Sequence, residues 1–542
     1  MPTGTQPRVL HVALVALFVL LSFGGAIFPN GTASAQASTN DPGPGDTDLA
    51  LYAPVLERDR DAIYAETAGR LSRYRVEATF TPAGDNVATI LGVVDLNYYN
   101  GTGKMQDTIY FRLYPNDDEY AEGALTLDAV EVGGEKVTPR LTVGDTVAAI
   151  DLAEPVAAES TVDLLVTFTT TIPNAPRESY GMFSHDTKSG TYALAHWGPL
   201  LAGYDSVHGW ELDTPSELGD PVFTNAALYD VTLTAPDDLI VITTGIESSA
   251  EPVGDGQTRY RFLSGPVRDF VIAMNEDLQE LSATVDGTTV RSWFSADNIE
   301  LGRATLRYGI QSLEVFGQLF GPYPYAEMDI VEVDLQRALG VEFPQITYIA
   351  AGLYDRNSGS WRDPKSLEFT LVHEIAHQWW YALVGNNQYQ HAFIDEGLTN
   401  FVSTVYMREI YGDEVADFQV DRNLKMWYLS LLFGNEGDSV ANQPTDDFPT
   451  QNAYGATIYG KAALGFKAIH DEIGPDAFFA GLTDYAATFR FKVATPDDLR
   501  AALERASGRD LTDLWSHWFN EAAGEQDFDP SDLAHVQEEL GL

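Results

Sequence analysis

The sequence contains no cysteine. This excludes a disulfide scaffold, a cysteine nucleophile, a thiolate zinc cage and a cysteine-linked lipid anchor. Basic residues are scarce: 32 Lys and Arg face 80 Asp and Glu, the formal charge at pH 7 is −48, and only 8 residues are Lys. Nucleic acid is excluded as a partner, because binding it takes clustered cations that displace counterions. A carboxylate-rich, Lys-poor surface stays hydrated, and salt screens its self-repulsion, so solubility and adaptation to a saline habitat both account for it. Long apolar runs are also missing after Phe28.

What is present suffices for a folded, multidomain protein. The 542 residues are 44% hydrophobic and 11% aromatic, enough for roughly two or three domains with full cores. Val12 to Phe28 are almost wholly apolar, and Ala33-Ser34-Ala35 is a small-residue cleavage pattern. Residues 1–48 therefore read as a signal peptide or membrane anchor, with a tether through residues 12–28, followed by a Pro/Gly linker from Asn40 to Asp48. Either reading sends the rest of the chain out of the cytoplasm, secreted or anchored at the cell surface.

Residues 49–280 read as a β-rich domain. Segments such as Tyr74 to Phe80 and Asp230 to Thr234 alternate apolar and polar residues between Gly, Asp, Asn and Pro clusters, which predicts an antiparallel, sandwich-like architecture. From 281 to 542 the pattern becomes α+β and mostly helical. A strand is expected over Met328 to Leu335, and helix starts at Asp363-Pro364 and Thr495-Pro496, where a capping residue precedes a first-turn proline.

The chemistry centres on His373-Glu374-Ile375-Ala376-His377. Residues four apart on a helix share a face, so two imidazoles can hold one zinc ion, and Glu374 can reach water at the metal. Leu367, Leu371, Ile375 and Trp379 keep helical spacing, and Gly385 is the expected end of the helix. Zinc held by two histidines needs a third protein ligand. A returning antiparallel helix would supply Glu396 after 18 intervening residues; His391 and Asp395 compete for that role, while a third His six residues after His377 is ruled out because Leu383 stands there.

An HExxH motif followed by 18 residues and a Glu resembles the aminopeptidase N-like zinc metallopeptidases, which are gluzincins. Gly340-Val341-Glu342-Phe343-Pro344 stands where that family carries its exopeptidase motif, usually Gly-x-Met-Glu-Asn, and Ile458-Tyr459-Gly460-Lys461-Ala462 resembles its Tyr-x-Lys-Gly segment. The resemblance implies a β N-terminal domain, saddle-like in form, and a thermolysin-like catalytic domain. It implies one Zn2+ held by His373, His377 and Glu396, with Glu374 as general base and Tyr459 as donor to the oxyanion. Glu342, with Gly340 and Val341, would bind substrate through its free α-amine. The departures are Val341 for Met, Phe343 for Asn and Ala462 for Gly. Only 146 residues follow Glu396, so a short form without the family's C-terminal helical domain is expected, with a more open cleft. The implied activity is removal of N-terminal residues from peptides. The alternatives are an endopeptidase or oligopeptidase, should Glu342 hold no amine, and a non-catalytic peptide-binding surface protein. Side-chain preference and oligomeric state are not encoded in any of these motifs.

Overall fold

The computed structural model describes residues 48–542 apart from 85–86, 118–119, 121–122, 175–179, 217, 220–221 and 356–364. The signal or anchor segment and most of the linker lie outside the described residues, as does the Asp363-Pro364 helix start. Among the described residues no helix is long and apolar enough to cross a membrane.

Alternation in the N-terminal half becomes strands with one buried face. In Ser72–Thr81 the residues Tyr74, Val76, Ala78 and Phe80 turn inward while their neighbours face out. The strand lies inside an eight-stranded sheet, between Ala88–Tyr99 and Ala227–Pro236. Its pairing with Ala88–Tyr99 is antiparallel and its pairing with Ala227–Pro236 is parallel. The antiparallel expectation thus has an exception at the sheet's centre. Period-two alternation is the same for both pairing directions, so the sequence pattern is blind to it. Two four-stranded sheets and a two-stranded one, Tyr204–Asp205 with Gly209–Trp210, are also found in this half.

The C-terminal half is built on a mixed five-stranded sheet. Its order is Gln279–Val285, Thr288–Phe294, Glu327–Val333, Ile346–Ala350 and Gly340–Phe343. Thr288–Phe294 and Glu327–Val333 are parallel, and parallel neighbours need a long crossover. The helix Ile299–Phe320 provides it, burying Leu301, Thr305, Gly309, Leu313 and Phe316 at intervals of three and four. Glu327–Val333 is buried on both faces after its first residue, although Asp329 and Glu332 interrupt its apolar residues. The last strand, Gly340–Phe343, is at the sheet's edge and among the described residues pairs only with Ile346–Ala350. Helices follow to the C-terminus. The start at Thr495-Pro496 is as expected: Thr495 and Asp498 form a reciprocal capping box ahead of Pro496–Ser507.

Candidate active site

The motif helix runs Ser366–Ala376, and every residue from Leu367 on is buried. It packs between the crossover helix Ile299–Phe320, the helix Leu398–Tyr411 and the edge strand. It ends at Ala376 rather than continuing to Gly385. The amides of Gln378 and Trp379 reach back only three residues, to Ile375 and Ala376, and the chain then turns at Tyr381, whose φ is 153°. This turn brings the Trp380 carbonyl back to accept a hydrogen bond from His377 Nδ1 at 3.0 Å, which aims the other ring nitrogen at the site. Trp379 owes its apolar character to the core, where it packs on Phe316, Phe320 and Tyr323, and not to a longer helix.

His373, His377 and Glu396 come together as expected. His373 Nε2 lies 3.2 Å from His377 Nε2 and 3.0 Å from Glu396 Oε2, and His377 Nε2 lies 3.4 Å from the same oxygen. Tetrahedral zinc with bonds of about 2.0–2.1 Å sets its donors about 3.3 Å apart, so the triad fits one face of that tetrahedron. All three side chains are buried. Among the described residues, His391 and Asp395 are in neither of the donor clusters that could hold a metal; His391 pairs with Asn442 and Asp395 accepts from Asn386.

Glu396 sits on a wide π-type turn, Phe393–Gly397, that opens into Leu398–Tyr411. A second such turn, Ala456–Ala462, packs against it, and Gly397 permits the approach: a Cβ there would lie 2.7 Å from that of Ala462. Tyr459 is thereby set beside the triad, its hydroxyl donating to Glu396 Oε1 at 2.5 Å and its ring centroid 5.9 Å from that of His373. Wide turns of this kind reorient side chains and recur at functional sites. Lys461 points the other way, into a buried pair with Asp438.

Glu342 and Glu374 form a second cluster that shares His377, with their ligand atoms all within 4.8 Å of one another. Glu342 Oε1 is 4.0 Å from His377 Nδ1. Gly340 is required by this closeness, since a Cβ there would stand 2.3 Å from Glu374 Oε1. Val341 is buried beside them in the edge strand. Burial opposes protonation of His377, yet Glu342, Glu396 and Glu374 outweigh it and hold its pKa well above the ordinary histidine value. Burial instead lowers His373. Glu396 resists its own desolvation because both histidines hydrogen-bond its ionised form, and it titrates below the usual carboxylate range. Three carboxylates around two imidazoles call for a cation.

Glu342, His373, Glu374, Glu396 and Tyr459 line a cleft of about 1010 Å³. Its walls include Tyr180 and Met182 from the N-terminal half, and Met426 and Trp427 from the helical half, none of which any motif identifies. Trp427 stacks on Tyr459 at 6.2 Å and 17°, and lies over Gly455, where a Cβ would meet its ring at 2.3 Å. A separate cavity of about 360 Å³ beside Tyr98 and Trp210 contains none of the site residues.

Comparison with known proteins agrees with this geometry. Residues 305–518 match the Peptidase family M1 domain. The chain is 24% identical over 310 residues to aminopeptidase M1-B of Oryza sativa subsp. japonica, covering 55% of this chain and 34% of that protein. It is 24% identical over 307 residues to aminopeptidase M1 of Arabidopsis thaliana, covering 54% and 34%. The chain thus spans about a third of the length of the curated relatives it matches. Among solved structures, the M1 zinc metallopeptidase of Deinococcus radiodurans superposes with a TM-score of 0.59 at 17% identity, covering 83% of this chain and 93% of that one. A variant of that metallopeptidase bound to a Tyr-Ser-Ala substrate gives 0.59 at 17%, covering 83% and 94%. The structural likeness concerns the fold: an N-terminal β-sheet domain followed by a helical catalytic region. Residues 305–518 thus match the Peptidase family M1 domain, and about half of the chain is similar to curated M1 aminopeptidases.

Proposed function

We propose that this protein is an extracytoplasmic zinc aminopeptidase that removes residues one at a time from the free N-terminus of peptides. The observation that carries this reading is the pair of donor clusters joined at His377. His373, His377 and Glu396 suffice for one zinc ion, and Glu374 suffices as base. Glu342 is then a third buried carboxylate with no task in the hydrolytic step. Three carboxylates against one dication leave one negative charge, which a substrate ammonium answers.

Each residue then has a definite task. A zinc ion bound by the triad supplies Lewis acidity that polarises a carbonyl and acidifies water. Glu374 takes the proton from the attacking water and passes it to the departing amine. Tyr459 donates its hydroxyl hydrogen to the oxyanion, an interaction realised only in the transition state. Glu342 pairs with the α-ammonium, so the first peptide bond, and no later one, lies over the base. The outer edge of Gly340–Phe343 pairs with the extended substrate backbone through the main chain of Gly340 and Val341. The apolar segment over residues 12–28 supports the extracytoplasmic location, by cleavage or by tethering.

The test uses one peptide in free and N-acetylated forms, with products followed by mass spectrometry and a chelator control. A chelator-sensitive ladder of one-residue losses from the free form alone is expected. Internal cuts in both forms would make the protein an endopeptidase and remove Glu342 from amine binding.

A further inference from the structure

The edge strand that carries Glu342 turns back on itself in two residues. Phe343 pairs with Ile346, leaving Pro344 and Gln345 at the tip. A proline followed by a residue of positive φ is a type II turn, and that second position favours glycine or asparagine. Here it is Gln345, with φ of 67° and no exposure to solvent. A strained, buried glutamine at a hairpin tip needs a reason.

Its surroundings supply one. The Gln345 amide donates to Gln378 Oε1 at 2.9 Å, and Gln378 Nε2 donates to the Phe343 carbonyl at 2.9 Å. One buried side-chain amide thus spans both arms of the turn. Gln378 is the residue immediately after the metal-site His377, and it is fully buried. On the opposite side, Gln345 Nε2 donates to the Ser264 carbonyl at 2.7 Å, in the strand Gln257–Val267 of the N-terminal half. Among the described residues Gln345 Oε1 has no hydrogen-bond partner, so the residue is retained at a cost to stability. The tip, which begins two residues after Glu342, is therefore fixed to the end of the motif helix and to the β domain.

We infer that Gln378, with Gln345, is a positioning clamp that sets the distance between Glu342 and the metal ligands, and thereby the enzyme's selectivity for a free α-amine. The inference rests on the amine-binding reading of Glu342. Neither glutamine touches substrate; both act through the strand. Displacement of a substrate-binding group by about an ångström is enough to cost one to two orders of magnitude.

The experiment measures kcat/KM for one peptide in free and N-acetylated forms, with zinc content and thermal stability, on the zinc-loaded full chain. Gln378→Met keeps the side-chain volume and removes both hydrogen bonds. It should lower the free-to-acetylated ratio about tenfold or more, through KM for the free peptide, at unchanged zinc content. Added to Glu342→Ala it should lower the ratio no further, because both changes act on one contact. Gln345→Gly eases the positive φ and removes only the Ser264 tether, so it should fold with undiminished stability and lose a smaller factor, about threefold. Should Gln378→Met fail to fold, this second variant decides. If Glu342→Ala collapses the ratio while both glutamine variants keep it, the clamp is overturned and the amine reading stands. Equal losses on free and blocked peptides would overturn it too, as a merely structural role. If Glu342→Ala leaves the ratio intact, both inferences fall together.

Discussion

Replacing Tyr459 by Phe isolates one atom. The ring keeps its stack on Trp427 at 6.2 Å, its edge contact with Tyr454 at 6.3 Å and its tilted contact with His373 at 5.9 Å. The lost hydrogen bond goes to Glu396 Oε1, whereas the oxygen that faces both histidines is Oε2. The zinc donors should therefore stay where they are, and the half-buried ring should hold the fold. On the proposed mechanism, what disappears is the donor to the oxyanion of the transition state. Removing one such donor costs about 10²–10³ in kcat, or about 2.7–4 kcal/mol. Steady-state kinetics on an unblocked peptide should show that loss in kcat, with KM within about threefold of wild type and one zinc per chain by elemental analysis. A loss confined to KM, or a kcat reduced less than about threefold, would refute the oxyanion role and leave Tyr459 as a packing residue. Loss of zinc would show instead that the phenol acts by holding Glu396.

Three further outcomes follow from the same geometry. Glu374→Gln should retain zinc and lose on the order of 10²–10⁴ in turnover, because the ligands remain while the base goes; near-normal turnover in a zinc-loaded sample would contradict that role. Gly340→Ala sets a Cβ 2.3 Å from Glu374 Oε1 and should cost at least about tenfold in kcat with metal retained, as measured by activity per bound zinc. Asp329 is buried, and desolvation, aided by Glu327, pushes its pKa up to about 7 while it accepts from Trp293 at 2.6 Å. Between pH 5 and 7 the unfolded chain has released this proton and the folded chain keeps it, so stability falls as pH rises and levels off above 7. Asp329→Asn should remove that slope: in denaturant unfolding, the stability of wild type relative to the variant should drop by about 3 kcal/mol between pH 5 and pH 8. A pH-independent difference would mean that Asp329 is ionised throughout.

How far the sequence discloses this site depends on how local each relation is. His373 and His377 are four residues apart on one helix, so their convergence is visible in the spacing alone. Glu396 is legible once a third donor is required, though the wide turn that aims it is not. Tyr459 and Glu342 are single residues among many of their kind, and only resemblance to a family singles them out. The end of the motif helix is misread because Trp379 is apolar for the sake of Phe316 and Phe320, at a position where helical spacing also asks for an apolar residue. Pairing direction is invisible for a related reason: inside–outside alternation in Ser72–Thr81 is the same beside a parallel neighbour as beside an antiparallel one. Tyr180, Met182 and Trp427 reach the cleft from segments far apart in the chain, and nothing local marks them. Gln378 and Gln345 look like ordinary polar residues until the hairpin tip is seen to rest on them.

The central claim is that one zinc ion, held by His373, His377 and Glu396, makes this protein an aminopeptidase. It is tested most directly by titrating zinc into metal-stripped protein and measuring release of the first residue from an unblocked peptide. Activity should be absent at the start, rise in proportion to added metal and level off at one equivalent. Full activity in the stripped protein, or a rise that continues to two equivalents, would contradict it.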